Sequence, residues 1–403
     1  MEEKKTETTN AKDMFEDAMQ NLKMEDLIRG KTPTDIEERC RTLCIAYIGG
    51  SWSNTTNVKD ITVKRISGGL TNQLYHVRLN ENIPRVHNPI YGDDEPVEVA
   101  IKLYQEKHMK NYAEDESERL NDIIVLTIIS QVGIGPKVYG IFNDGVVLAY
   151  HKHEQFRVKH QQNPILLKRV AEMMAQVHHL NVPLRKDNDW VFGVMRSMIQ
   201  KGYETKDVTK LVEELNLEQF KRRDLKDEFE NLAKYVSEYP TPKVFCHGDF
   251  RGSNILVLTD DPSKTDQIVL CDLEYSSYGA RGYDMAVFLS EWGLELFDFA
   301  KFQLPDDDVF INFASLYVDE AERQSPGYRT KPENQISVIV REIKLFILVN
   351  FMFFLSFMIK QEEPLIAHMP YDVKTQMMYT NKMYSIYNTV KQQLIDGGVI
   401  KMD

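Results

Sequence analysis

One change of periodicity divides this chain and limits the folds open to it. Up to Tyr150 the apolar residues alternate in short runs. Asp60 to Ile66, Gln73 to Leu79, Val97 to Tyr104, Val138 to Phe142 and Val146 to Tyr150 all read as strands. The last two flank Asn143-Asp144-Gly145, a strong hairpin signal. Helices are expected over 34–48, between a Thr34-Asp35 cap and Gly49-Gly50, and over 111–132, which Gly133-Ile134-Gly135-Pro136 stops. Beyond Tyr150 the spacing becomes helical, with helices expected from Ile165 to Leu180 and, long and charged, from Leu215 to Tyr239. Two short strands interrupt them, Ile255 to Leu258 and Gln267 to Cys271. The expectation is therefore an α+β chain of two unequal lobes. Residues 1–32 form a polar arm, 33–150 a small antiparallel β-rich lobe, and 151–403 a larger, mainly helical one.

Composition removes several function classes. The net charge is −12 and no basic tract offsets it, which argues against a nucleic-acid partner. Four cysteines in 403 residues fall far short of a disulfide framework, so reduced thiols are expected. The opening MEEKKTETTNAKD is too polar for a signal peptide. The most apolar stretch, Leu345 to Ile359, has fifteen residues with Asn350 and Ser356 among them. A bilayer span needs about 20 apolar residues, so a helix buried in protein and a cytoplasmic chain are expected.

The chemistry concentrates between Val244 and Asp272. His247, Asp249 and Asn254 stand as H-x-D-x-x-x-x-N before an apolar strand, and Asp272 ends the next strand eighteen residues later. A loop aspartate that can take a hydroxyl proton, with an asparagine and an aspartate converging on a hard cation, is the apparatus of phosphoryl transfer. Asp and Asn also cap turns, so the pattern gains its weight from Asp272 and from matching parts upstream. Ser67-Gly68-Gly69-Leu70-Thr71-Asn72 joins two strands where backbone N–H groups can approach phosphates closely. Lys102, in Val99-Ala100-Ile101-Lys102 on the third strand, can reach them, with Glu118 or Asp122 as its acidic partner.

Taken together these residues resemble the choline/ethanolamine kinases, relatives of aminoglycoside phosphotransferases and protein kinases. The resemblance rests on Gly68 to Asn72, Gly135 to Gly140, Cys246 to Asp249 with Asn254 to Leu256, and above all on Asp272 to Asp284 closing with Glu291-Trp292. It spans about residues 35 to 395. It implies a bilobal protein-kinase-like fold, with ATP between the lobes and Ala149-Tyr150 at the hinge. Asp249 would be the base, Asn254, Asp272 and Glu274 the ligands of Mg²⁺ or Mn²⁺, and Arg251 would lie near the phosphates.

The resemblance also implies an alcohol substrate, choline first and ethanolamine second, whose product feeds phospholipid head-group synthesis. A quaternary ammonium needs aromatic faces and an acid. Tyr275, Phe354 and Phe357, with Tyr371 or Tyr379, resemble the box positions, and Glu291 or Asp284 would accept from a primary ammonium. The chain departs from its relatives at several places. Phe354 and Phe357 stand where tryptophan is usual, Gly248 for asparagine, Arg251 for an uncharged polar residue and Asp122 for glutamate, and the aromatic usual after Trp292 is either lost at Leu296 or supplied by Phe297. An ethanolamine-preferring kinase and a catalytically weak kinase-like binding protein stand as alternatives. A homodimer through the small lobe is the family's usual assembly.

Overall fold

The computed structural model describes residues 30–68, 72–105, 118–187, 189–259, 267–295, 299–362 and 372–402. The expectations placed on Gly69, Leu70, Thr71, Leu296, Phe297, Tyr371 and the first 29 residues lie outside them.

The small lobe runs α1 (Ile36–Tyr47), β1 (Ile61–Ile66), β2 (Gln73–Leu79), β3 (Glu98–Leu103), α2 (Glu118–Gln131), β4 (Val138–Phe142) and β5 (Gly145–Ala149). The strands form one antiparallel sheet in the order β1-β2-β3-β5-β4. Phe142 pairs with Gly145, so Asn143-Asp144 is the whole β4–β5 turn. Successive side chains leave opposite faces of a strand. Tyr75, Val77, Val99, Ile101 and Val147 thus pack under α1 with its buried Cys40 and Cys44. Leu74, Ala100, Lys102 and Leu148 are left on the opposite face, toward the second lobe. The alternation that builds this core is what turns Lys102 outward from it.

The large lobe continues with β6 (His153–Gln155), α3 (Val158–Gln161), α4 (Pro164–His178), α5 (Trp190–Thr205), α6 (Val208–Glu214), α7 (Glu218–Arg222), α8 (Leu225–Glu238) and β7 (Lys243–Cys246). Then come β8 (Ile255–Leu258), β9 (Ile268–Leu270), β10 (Ser277–Ala280), α9 (Arg281–Leu289), α10 (Asp307–Gln324), α11 (Ile336–Lys360) and α12 (Val373–Asp396). Two small antiparallel sheets, β6-β8-β9 and β10-β7, carry the loops of interest.

Three expectations are corrected. The helix expected from Leu215 to Tyr239 is two, because Arg223 is extended (φ −155°, ψ 127°) and the Asp224 carboxylate accepts from the Lys226 N–H to cap a new start. The strands β6, β7 and β10 were not expected; at three or four residues they are too short to show a period. And α2 lends Val125 and Ile129 to the large core, not to the small lobe's own. The apolar run from Leu345 lies within α11, which threads that core, and among the described residues no helix is long and apolar enough to cross a membrane.

An ion pair with both side chains almost wholly buried ties α9 to α11. Arg281 donates to Glu342 Oε2 at 2.5 Å, to Asn334 Oδ1 at 2.6 Å, to the Tyr328 hydroxyl at 2.8 Å and to the Glu333 carbonyl at 2.9 Å. Removing one partner strands a buried charge, which costs about 3–5 kcal/mol. Glu342→Ala should show a loss of that size in chemical denaturation, and a loss under about 1 kcal/mol would contradict the pairing.

Candidate active site

A cleft of about 1270 Å³ opens between the lobes. Ser67, Gly68, Asn72 and Lys102 line its small-lobe side, Ala149 and Tyr150 its hinge, and Asn254, Asp272 and Glu274 its large-lobe side. Tyr150 is set by a stack on His76, ring centroids 3.8 Å apart, and His76 in turn meets Glu98 at 2.8 Å.

Two loops supply the charged end. The first follows β7 and holds His247 to Asn254; the second follows β9 and holds Asp272 to Tyr275. They are laced together: the Cys271 N–H donates to the Asn254 carbonyl at 3.0 Å, and His247 Nε2 meets the Cys271 carbonyl at 3.0 Å. A carbonyl can only accept, so Nε2 carries the proton, and Nδ1 is free to accept from the Asp249 N–H at 3.3 Å. His247 is thereby a neutral spacer between the loops.

Asn254 Nδ2 donates to Asp249 Oδ2 at 2.8 Å and to the Asp249 carbonyl at 2.9 Å. Its amide nitrogen is spent on the base, so its amide oxygen is the atom left for a cation. Burial pushes the Asp249 carboxyl up to about 7; Arg251 opposes the rise and Asp272 adds to it. A base so placed can change its protonation near neutral pH. Asp272 holds a left-handed backbone (φ +61°), which is uncommon outside glycine and costs of order 1–3 kcal/mol. Its Oδ1 lies 2.7 Å from Lys102 Nζ, so the lysine pairs across the cleft. Burial alone would lower the Lys102 ammonium, but Asp272 and Glu274 outweigh it and hold it above its ordinary value. Of the two expected acids, Asp122 lines the same cleft but is not the partner of Lys102 here, and the expectation placed on the Glu118 side chain lies outside the described residues. Glu274 Oε2 accepts from Asn72 Nδ2 at 3.1 Å, joining the glycine-bearing turn to the second loop.

Two expected site residues stand elsewhere. Asp284 is 0% exposed, and its carboxylate accepts from the His247 N–H at 2.7 Å and the Gly248 N–H at 2.9 Å, with His178 Nε2 at 3.2 Å. It grips the first loop from beneath and presents nothing to a substrate. Arg251, expected near the phosphates, turns instead to Glu291, with Nε and Nη2 at 2.8 and 2.6 Å from Oε1. Gly248 sits at φ +82°, and a Cβ there would lie 2.2 Å from the Tyr275 carbonyl oxygen, so this loop as folded admits only glycine at 248.

The aromatic side differs from expectation too. The Tyr275 ring meets Trp190 at 5.3 Å, and Trp190 meets Phe353 at 6.2 Å. Phe354 packs on Phe299 at 5.1 Å, Phe354 and Phe357 are half-buried on α11, and Tyr379 is buried on α12. Trp190 was not anticipated; the one signal for it is its place just after Asp189, the N-cap of α5.

The network makes a pH prediction. Burial holds His247 below the ordinary 6.5, despite the opposing pull of Asp284. The unfolded chain then takes a proton that the folded one refuses, so stability is full above about pH 6.5 and falls as the pH drops below it. Burial would raise Asp284, yet the His178 contact outweighs it and holds the carboxyl below 3.8, so its share persists above that pH and fades beneath it. The apparent Tm should decline from pH 7 to 5, more steeply in the wild type than in His247→Asn. Equal slopes would contradict the account.

Against known proteins, the model of the choline/ethanolamine kinase family matches residues 63–385. A human choline/ethanolamine kinase is 31% identical over 296 residues, which cover 72% of this chain and 71% of that protein. The structure is similar to the choline kinase of Cryptosporidium parvum, with a TM-score of 0.65 and 19% identity over 90% of this chain and 97% of that one. It is also similar to the ethanolamine kinase of Plasmodium vivax, with a TM-score of 0.62 and 18% identity over 95% and 96%. At such identities the two structures establish the shared protein-kinase-like fold.

Proposed function

The chain belongs to the choline/ethanolamine kinase family, and we propose that it carries the γ-phosphoryl group of ATP to the hydroxyl of choline, with ethanolamine second. The observation that carries this reading is the pairing of Asp249 with Asn254 and of Lys102 with Asp272, with Asn254, Lys102 and Asp272 all lining the interlobe cleft. Lys102 is charged and placed to hold ATP phosphates. Asp249 takes the hydroxyl proton as the alcohol oxygen attacks the γ-phosphorus and the bond to ADP breaks. The oxygen atoms of Asn254, Asp272 and Glu274 fit a hard divalent ion, Mg²⁺ or Mn²⁺, which when bound neutralises phosphate charge. Tyr275 beside Trp190 supports an ammonium-binding side, since indole is the best ring for a cation. A cytoplasmic setting and a homodimer belong to the same reading, and sedimentation at micromolar concentration reads the second.

ADP release measured with choline, with ethanolamine and with neither tests the reaction. Release that needs the alcohol is expected; none with either alcohol would favour the kinase-like binding protein. The Phe354→Trp, Phe357→Trp double variant tests the rings. If they face the ammonium, the choline KM falls by roughly fivefold and the ethanolamine KM stays. Equal shifts would make both rings packing groups.

A further inference from the structure

We propose that Arg251 is a specificity-determining residue: a resident guanidinium that occupies Glu291 and competes with the ammonium group of the substrate for it. The inference rests on the kinase reading above. Glu291, the acid expected to meet an ammonium, is held against the base's loop by Arg251 and Gly252, and its carboxylate is already engaged on both oxygens. Oε1 accepts two hydrogen bonds from Arg251, and Oε2 accepts the Gly252 N–H at 3.0 Å. The pair is about four-fifths buried, with side chains 20% and 21% exposed, so water screens it little. Glu291 also lines a small cavity with Gly252, Arg157 and Glu295, so a second guanidinium stands near the same carboxylate. Arg251 lies two residues after Asp249 on the same loop and opposes the rise of the Asp249 carboxyl, so the pair sits beside the base.

A carboxylate held this way offers a cation much less than a free one does. An ammonium that uses Glu291 must share it with, or displace, a guanidinium held by two hydrogen bonds. The cost falls on the charge of the substrate and not on its shape, and that separates this role from a structural one. An arginine that donates twice to one oxygen, with the Gly252 N–H on the other, also fixes the carboxylate in one direction, which a neutral side chain at 251 would do less well.

The test is equilibrium binding, with KM alongside, of choline and of 3,3-dimethylbutan-1-ol, which has the shape of choline and no charge. Arg251→Gln should tighten choline roughly fivefold and leave the neutral alcohol within about twofold. Glu291→Gln should weaken choline, because Arg251 is then uncompensated. The double variant restores a neutral pair and should return choline to within about twofold of the wild type. Arg251→Lys keeps the charge, and its choline-to-neutral ratio should stay with the wild type. Choline and the neutral alcohol shifting together in Arg251→Gln, or choline binding more weakly there, would overturn the proposal. Loss of neutral-alcohol binding in that variant would do so too, by making Arg251 a structural prop. The kinase reading fails by a different result, wild-type protein that binds choline but releases no ADP with it.

Discussion

Asp249→Ala lowers kcat by about 10³- to 10⁴-fold while the affinity for ATP moves by less than about twofold. The asymmetry follows from where the carboxylate stands. Asp249 touches Asn254 on the first loop, and the cleft face that would hold the phosphates is built by Lys102, Asp272 and Glu274. Losing the base removes an interaction made only as the hydroxyl proton leaves, so kcat and kcat/KM should fall together. Asp249→Asn is the sharper variant, because it keeps the shape and removes the proton acceptor. Asn254 Nδ2 can still donate to the amide oxygen, so the loop should hold its place. A stopped-flow measurement of ATP binding beside steady-state ADP release separates the two effects. Turnover near the wild type in either variant would remove Asp249 as the base. An equal loss of ATP affinity would place it among the nucleotide contacts instead.

Local chemistry was legible in the sequence where a short stretch determines the geometry by itself. The hairpin expected at Asn143-Asp144-Gly145 is there, one residue tighter, with Gly145 already paired to Phe142. The H-x-D-x-x-x-x-N run placed Asp249 against Asn254, because five residues of loop and a single 3₁₀ turn (Gly252–Asn254) leave the two little freedom. What lies far apart in sequence was not legible. Lys102 and Asp272 are 170 residues apart, and nothing in the spacing of either says that they pair, so the helix nearest in sequence looked the better source of an acid. The Arg251–Glu291 pair was hidden in the same way: the two are forty residues apart, and nothing in the spacing of either says that they meet. The break at Arg223 was missed for a different reason. Its signal was present in Asp224, a good cap, but the apolar period on both sides is helical and no proline or glycine marks the gap.

Asp284 was misread because an acid in a motif suggests a ligand, and its structural position yields the second large prediction. It sits in the first turn of α9, at 0% exposure, under the loop that carries the base. Two backbone N–H groups, of His247 and Gly248, point at it, and His178 closes the third side with Tyr317 at 3.0 Å behind. Hydrogen bonds to a charged acceptor are worth about 1.5–3 kcal/mol each, and buried donors left unmatched cost about as much again. Asp284→Ala should therefore lose about 3–5 kcal/mol of stability. Asp284→Asn should also lose activity, because one face of its amide is a donor and must meet a donor N–H of the loop. The strained Asp272 and the glycine-only position at 248 leave the two loops no slack to absorb that conflict. We expect kcat to fall at least 100-fold in Asp284→Asn at a temperature where circular dichroism still reports native structure. If Asp284 met the substrate instead, the same variant would raise KM for ethanolamine and spare both kcat and the melting temperature. A melting temperature within 1–2 °C of the wild type with kcat retained would show that the loop holds itself, and that Asp284 is not its anchor.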